Sequence, residues 1–338
     1  APFYSFLEVG HFTLLFVAAG CVAAAIRRVP KLQQAFLAVI SVSVVIYIIY
    51  FAVGYGTYLR IPDVRLWPNG VTNFDNIRFF NHYQTWTLPL LSGATLAVPQ
   101  RRSVLKMGLF LVISLWWTLV FASAVRGTVV GMGIAAAGTA VLFRRRAGNW
   151  LLVQGSAMVG GVIFYYLLFS HGGDTGKPPA LDEFGDSSEY ASRLQYWESC
   201  LEMIGNNPWF GIGPMHYAWP PYQFSGPASP HSVLMRWFTE WGIPSAIVTF
   251  GISIWGIWEY MFEEAKKLRQ EKLSDKVGIS ITASLLAGAS HAMVSGVTLA
   301  PLSQMFLVLV AGWAWGRYEP SKQNGKTGSS SAAHAVLC

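Results

Sequence analysis

The stretch QAFLAVISVSVVIYIIYFAVGY, residues 34–55, lies between Lys31 and Arg60 without a charged side chain. A helix of ~20 apolar residues rises ~30 Å, the hydrocarbon thickness of a bilayer, so this segment reads as a membrane span. Eight further apolar segments follow the same pattern, at roughly 10–26, 84–99, 105–124, 127–143, 150–169, 232–258, 277–297 and 300–316. The 84–99 segment is short and carries Gln84 and Thr85 at its start. Composition agrees: of 338 residues, 53% are hydrophobic and 12% charged, about half the ~25% charged fraction of soluble domains. The expected fold is an all-α polytopic membrane protein with about nine transmembrane helices. Residues 1–319 form a single bundle in this reading, and the Ser/Gly-rich tail 320–338 is expected to be disordered and cytoplasmic. Cys21, Cys200 and Cys338 have no metal-type spacing, and three cysteines do not make a disulfide scaffold.

Sorting the charges by alternate loops gives an orientation. One side collects 17 of the 24 basic residues, among them Arg27, Arg28, Arg101, Arg102, Arg144, Arg145, Arg146, Lys266 and Lys267. The other keeps Arg60, Arg65, Arg78, Arg126, Lys177, Arg193 and Arg236, with 11 of the 17 acids. Cytoplasmic loops are the basic ones, so the second set faces out. The net charge of +7 is thereby a topology signal, and nothing in it calls for nucleic acid. The N-terminus faces out in this scheme, which would be natural if one or more helices preceded Ala1.

Two external segments are long enough to hold a site, roughly 56–83 and 170–231. The second opens with the turn-forming HGGDTGKPP (171–179) and the acids Asp182, Glu183 and Asp186. It continues with Leu194, Trp197, Leu201 and Ile204, whose spacing predicts an amphipathic helix of about four turns lying along the membrane surface. Asp186 and Glu189 suit its start, and Gly205 and Pro208 its end. The remaining PWFGIGPMHYAWPPYQFSGPASPHS (208–232), dense in Gly, Pro and aromatics, reads as a rigid ligand wall or a packed re-entrant loop.

Three residues stand out on the external side. Arg126 lies between two apolar runs, where a guanidinium snorkels, pairs or binds an anion. Arg193 opens the amphipathic helix, with Glu189 as a candidate local partner. His231 precedes a helix start and has the residue chemistry of a neutral base, although lone histidines are commonly structural. His216, His82 and His291 are further candidates; Arg236 and Glu240, four apart, can pair. External segments carry no HExxH, CxxC pair or Asp-rich motif, and GxSxG and P-loop patterns are absent, so no metal or cofactor is expected.

The order Arg126-Gly127, Arg193 with Trp197, NPWFGIGPMHY (207–217) and PHSVLMRWFTEWGIPSA (230–246) resembles the O-antigen ligase and polymerase superfamily. Weaker similarity extends to NFDNIRFFNHYQTWTLPLL (73–91) and to 291–316. The serine expected two places before the arginine is Ala124, with Ser123 before it, and the usual His-Asn is His231-Ser232. The resemblance implies an inverting, metal-independent transferase in the bacterial inner membrane with a periplasmic active site. It would move a glycan from a polyprenyl-diphosphate carrier to an acceptor hydroxyl. Arg126 and Arg193 would bind the diphosphate, His231 would act as catalytic base, and Gly211, Gly213 and His216 would shape the loop. The acceptor could be a lipid A core sugar, which we favour, another lipid-linked glycan, or a protein hydroxyl. A solute transporter or lipid flippase is the alternative from another class; the absence of internal repeats and the one-sided polar residues speak against it.

Overall fold

The computed structural model describes residues 2–61, 72, 74, 76–124, 126–169, 188–219, 229–270 and 276–318. The 171–187 opening of the long external segment, its 220–228 part and the 320–338 tail lie outside the described residues. All described regular structure is helical: α1 Pro2–Arg28, α2 Leu32–Arg60, α3 Ile77–Ala97, α4 Ser103–Ala122, α5 Arg126–Phe143, α6 Gly148–Phe169, α7 Ser188–Asn206, α8 Val233–Gln270, α9 Lys276–Ala292 and α10 Pro301–Arg317. Single 3-10 turns occupy Arg144–Ala147 and His216–Ala218.

Each predicted apolar segment coincides with a helix. By length and composition, five stretches can cross a membrane: Phe3–Arg28, Leu32–Arg60, Ser103–Ala122, Arg126–Phe169 and Val233–Leu268. The fourth of these contains both α5 and α6. Helices α9 and α10, at 17 residues each, are shorter, and α3 is too polar. Large apolar side chains cover the outside of the bundle, including Val39, Ile46 and Ile49 on α2, Val159 and Ile163 on α6, and Ile252 and Trp255 on α8. Such a surface suits lipid, and the protein is a multi-pass membrane protein.

The polarity of α3 follows from its central place. Every residue from Phe80 to Leu96 is buried, so its polar groups must find partners inside the bundle. Gln84 donates to the Trp116 carbonyl at 3.1 Å, and Trp116 Nε1 to Thr87 Oγ1 at 3.0 Å. Pro89 interrupts the helical ladder, and neighbouring side chains serve the carbonyls around it: Ser284 on Trp86, Gln154 on Leu88 and Trp150 on Pro89. Helices α9, α2, α4, α5, α6 and α10 all pack against α3, α4 pairs with α6, and α1 pairs with α10.

Basic residues close one end of this bundle. Lys276 Nζ caps the Leu96 carbonyl at 2.8 Å, Lys267 Nζ the Arg317 carbonyl at 2.9 Å, and Arg27 Nη2 the Trp315 carbonyl at 3.1 Å. These carbonyls belong to the last turns of α3 and α10, where cations complement the helix dipole. The candidate site lies at the other end.

Candidate active site

Asn76 starts α3: its backbone is extended and its Oδ1 accepts the Arg78 amide at 2.9 Å. The helix then carries Arg78 and His82 four residues apart on one face. Arg78 Nη1 lies 3.2 Å from His231 Nε2. His82 Nε2 lies 2.8 Å from Ser295 Oγ, and its ring meets that of His291 edge-on at 5.1 Å between centroids.

His291 is buried at the end of α9, with Nδ1 2.7 Å from Thr85 Oγ1, itself 2.8 Å from Thr128 Oγ1. The other nitrogen, Nε2, faces α5, where a Cβ on residue 127 would come within 2.3 Å of it. Gly127 thus lets the start of α5 press against the imidazole, which gives the Arg126-Gly127 pair a steric reason. Arg126, half-buried, is the first residue of α5.

Helix α7 joins this region to the His231 loop. Arg193 Nη1 donates to the Val294 carbonyl at 3.0 Å, and the Val294 amide to the His291 carbonyl at 3.1 Å. One turn along α7, Trp197 Nε1 donates to the Pro230 carbonyl at 3.0 Å. A connected path therefore runs from Arg126-Gly127 through His291, Val294, Arg193, Trp197 and Pro230-His231 to Arg78. It includes Arg193 and His231, and reaches Arg126 through its neighbour Gly127. It also adds Arg78, whose sequence signal was an external basic residue one helical turn before a histidine.

His231 has a left-handed backbone, φ +52°, a strained state for a non-glycine residue and one that concentrates at functional sites. Immediately after it, Ser232 Oγ accepts the Met235 amide at 3.3 Å and so caps α8. Asn and Ser are both good N-caps, which accounts physically for His-Ser in place of His-Asn. Arg78, Arg126 and His231 thus sit at the starts of α3, α5 and α8, the positive ends of three helix dipoles. Cations there are electrostatically disfavoured, whereas an anion would gain from both. Three polar atoms of this region, Asn81 Oδ1, His82 Nδ1 and His291 Nε2, are buried without a hydrogen-bond partner among the described residues.

The NPWFGIGP loop has a different task. Helix α8 breaks at Gly242, φ +79°, and Pro244 has no amide to return to the Glu240 carbonyl. The loop takes up the freed groups: Ile212 donates to the Thr239 carbonyl at 2.9 Å, Gly213 to that of Glu240 at 3.0 Å, and the Ile243 amide to the Pro208 carbonyl at 2.8 Å. At φ +65°, Gly211 supplies the turn, and a Cβ there would come 2.5 Å from the Glu240 backbone. His216 Nδ1 lies 3.0 Å from the Pro214 carbonyl, on the same loop. Gly211 and Gly213 build the joint, and His216 packs on it.

Beside the joint, Arg236 is buried between two acids, 2.8 Å from Glu8 and 2.9 Å from Glu240, so the expected local pair extends to α1. The α7 face differs from the predicted stripe. Leu194 and Leu201 point outward, 57% and 58% exposed, while Cys200 and Met203 are buried with Tyr217. Burial raises the pKa of both the Cys200 thiol and the Tyr217 hydroxyl. The Glu189 side chain lies outside the described residues. An apolar groove of about 560 Å³ between α4 and α6, lined from Val104 to Phe164, includes no residue of the path.

A family model for O-antigen ligase matches residues 108–250. No curated protein matches the chain. The match contains Arg126, Arg193, His231 and both halves of the α8 joint, and leaves Arg78 and His291 outside. Residues 108–250 are thus similar to the O-antigen ligase family, in agreement with the superfamily resemblance read from the sequence.

Proposed function

We propose that this protein is a metal-independent, inverting glycosyltransferase that moves a glycan from a polyprenyl-diphosphate carrier to an acceptor hydroxyl at the periplasmic face of the bacterial inner membrane. Residues 1–319 act as one transmembrane bundle. The observation that carries the reading is the path linking Arg126-Gly127, His291, Arg193 and His231 at the end of the bundle opposite the basic residues. Arg126 and Arg193 bind the diphosphate, as planar guanidinium groups can through paired hydrogen bonds, and offset the charge that develops as it leaves. His231 takes the acceptor proton. The acceptor oxygen forms its bond to the anomeric carbon on the face opposite the diphosphate, whose bond breaks with both electrons going to the phosphate oxygen, so the configuration inverts.

A ligase-type acceptor, a lipid A core sugar, is the reading we favour over a lipid-linked glycan or a protein hydroxyl. Purified protein, a polyprenyl-diphosphate glycan and each of the three acceptors test it. Wild type transfers, Arg126→Ala and Arg193→Ala lose donor turnover, and His231→Ala binds donor without transferring. Undiminished transfer in all three variants overturns the site, and dependence on an added divalent cation overturns the metal-free mechanism.

A further inference from the structure

The Arg78–His231 contact carries a constraint on protons. A guanidinium has five donors and no acceptor and keeps its charge in proteins. At 3.2 Å from Arg78 Nη1, His231 Nε2 is therefore the accepting nitrogen, and the ring proton of the neutral imidazole is on Nδ1. The lone pair needed to take a proton from an acceptor hydroxyl is the one that Arg78 holds.

We propose that Arg78 covers the Nε2 lone pair of His231 until the donor diphosphate draws the guanidinium away, so that donor binding uncovers the base. The inference rests on the function proposed above and adds to it an order of events, donor before acceptor. Two observations say which partner moves. The backbone at His231 is held by its amide's bond to Ser229 Oγ and by the Trp197 bond to the Pro230 carbonyl. Arg78 stands in the first turn of α3 on a long, flexible side chain. A diphosphate outcompetes a neutral imidazole for that guanidinium, because it adds full charge–charge attraction and can accept two parallel N–H bonds where the imidazole accepts one.

The test measures binding of undecaprenyl diphosphate without a sugar to detergent-purified wild type, Arg78→Ala, Arg78→Lys and His231→Ala, beside glycan transfer. Loss of one charge-assisted contact should weaken binding roughly tenfold or more in Arg78→Ala, with partial recovery in Arg78→Lys. His231→Ala, which removes the competitor for Arg78, should bind as tightly as wild type or tighter. In transfer, Arg78→Ala should raise the donor KM more than it lowers kcat. Unchanged diphosphate binding in Arg78→Ala with active wild type overturns the cover and leaves the transferase reading intact. Weakening in His231→Ala equal to that in Arg78→Ala overturns it too, since the pair would then act as one unit. Wild type that neither binds the diphosphate nor transfers overturns both proposals.

Discussion

The two ends of the bundle use the same residue types in opposite electrostatic senses. At the basic end, Lys276, Lys267 and Arg27 donate to carbonyls in the last turns of helices, where a positive charge is favoured. At the other end, Arg78 and Arg126 occupy the first turns of α3 and α5, where it is disfavoured. Topology accounts for the first set, and the proposed donor diphosphate would account for the second. The buried Arg236, held between Glu8 and Glu240, shows that a cation at the site end can also be structural when two carboxylates face it.

The largest expected effect separates the ends by activity. Arg193→Ala and His231→Ala should each lower transfer by about 10²–10⁴-fold, whereas Arg102→Ala at the basic end should leave it within about twofold. Equal losses at both ends, in the same transfer assay, would erase the distinction. Stability should divide differently: Arg236→Ala strands two buried carboxylates and should cost about 3–5 kcal/mol in denaturant unfolding. A cost near zero would mean the triad contributes nothing as a pair. Gly242→Ala forces a Cβ to 2.4 Å from the Trp209 carbonyl at φ +79° and should destabilise by about 1–3 kcal/mol, read as a lower melting temperature. Smallest of all, Lys266→Ala removes a long, partly exposed pair with Glu263 at 3.8 Å and should change stability by less than about 1 kcal/mol. A large loss there would show the basic end to be more than topology.

Much of this architecture was legible because it is written in one dimension. Apolar runs such as 34–55 and the side-by-side sorting of charge need no knowledge of tertiary contacts, and the helices formed where those runs lie. The amphipathic stripe of α7 gave the helix, with Trp197 and Ile204 half-buried and Leu194 and Leu201 exposed, but not which residues pack on α8. The face that packs inward carries Cys200 and Met203, a tertiary contact that no helical periodicity in the sequence encodes. Arg126, Arg193 and His231 could be found as charges and rings out of place. The role of Arg78 could not, since its contact with His231 spans 153 residues of sequence. His291 was one candidate histidine among several, and its contacts with Gly127, His82 and Val294, all distant in sequence except the last, tie it to the site.

The break in α8 has a consequence for inheritance and for engineering. Segments 207–213 and 239–244 answer each other's unpaired amides and carbonyls, so they behave as two halves of a clasp. A chimaera that exchanges either half alone with a relative whose turn has another length would leave backbone groups open at the joint. Exchanged together, the halves should travel intact, and with them the aim of the histidine that the clasped helix carries at its head.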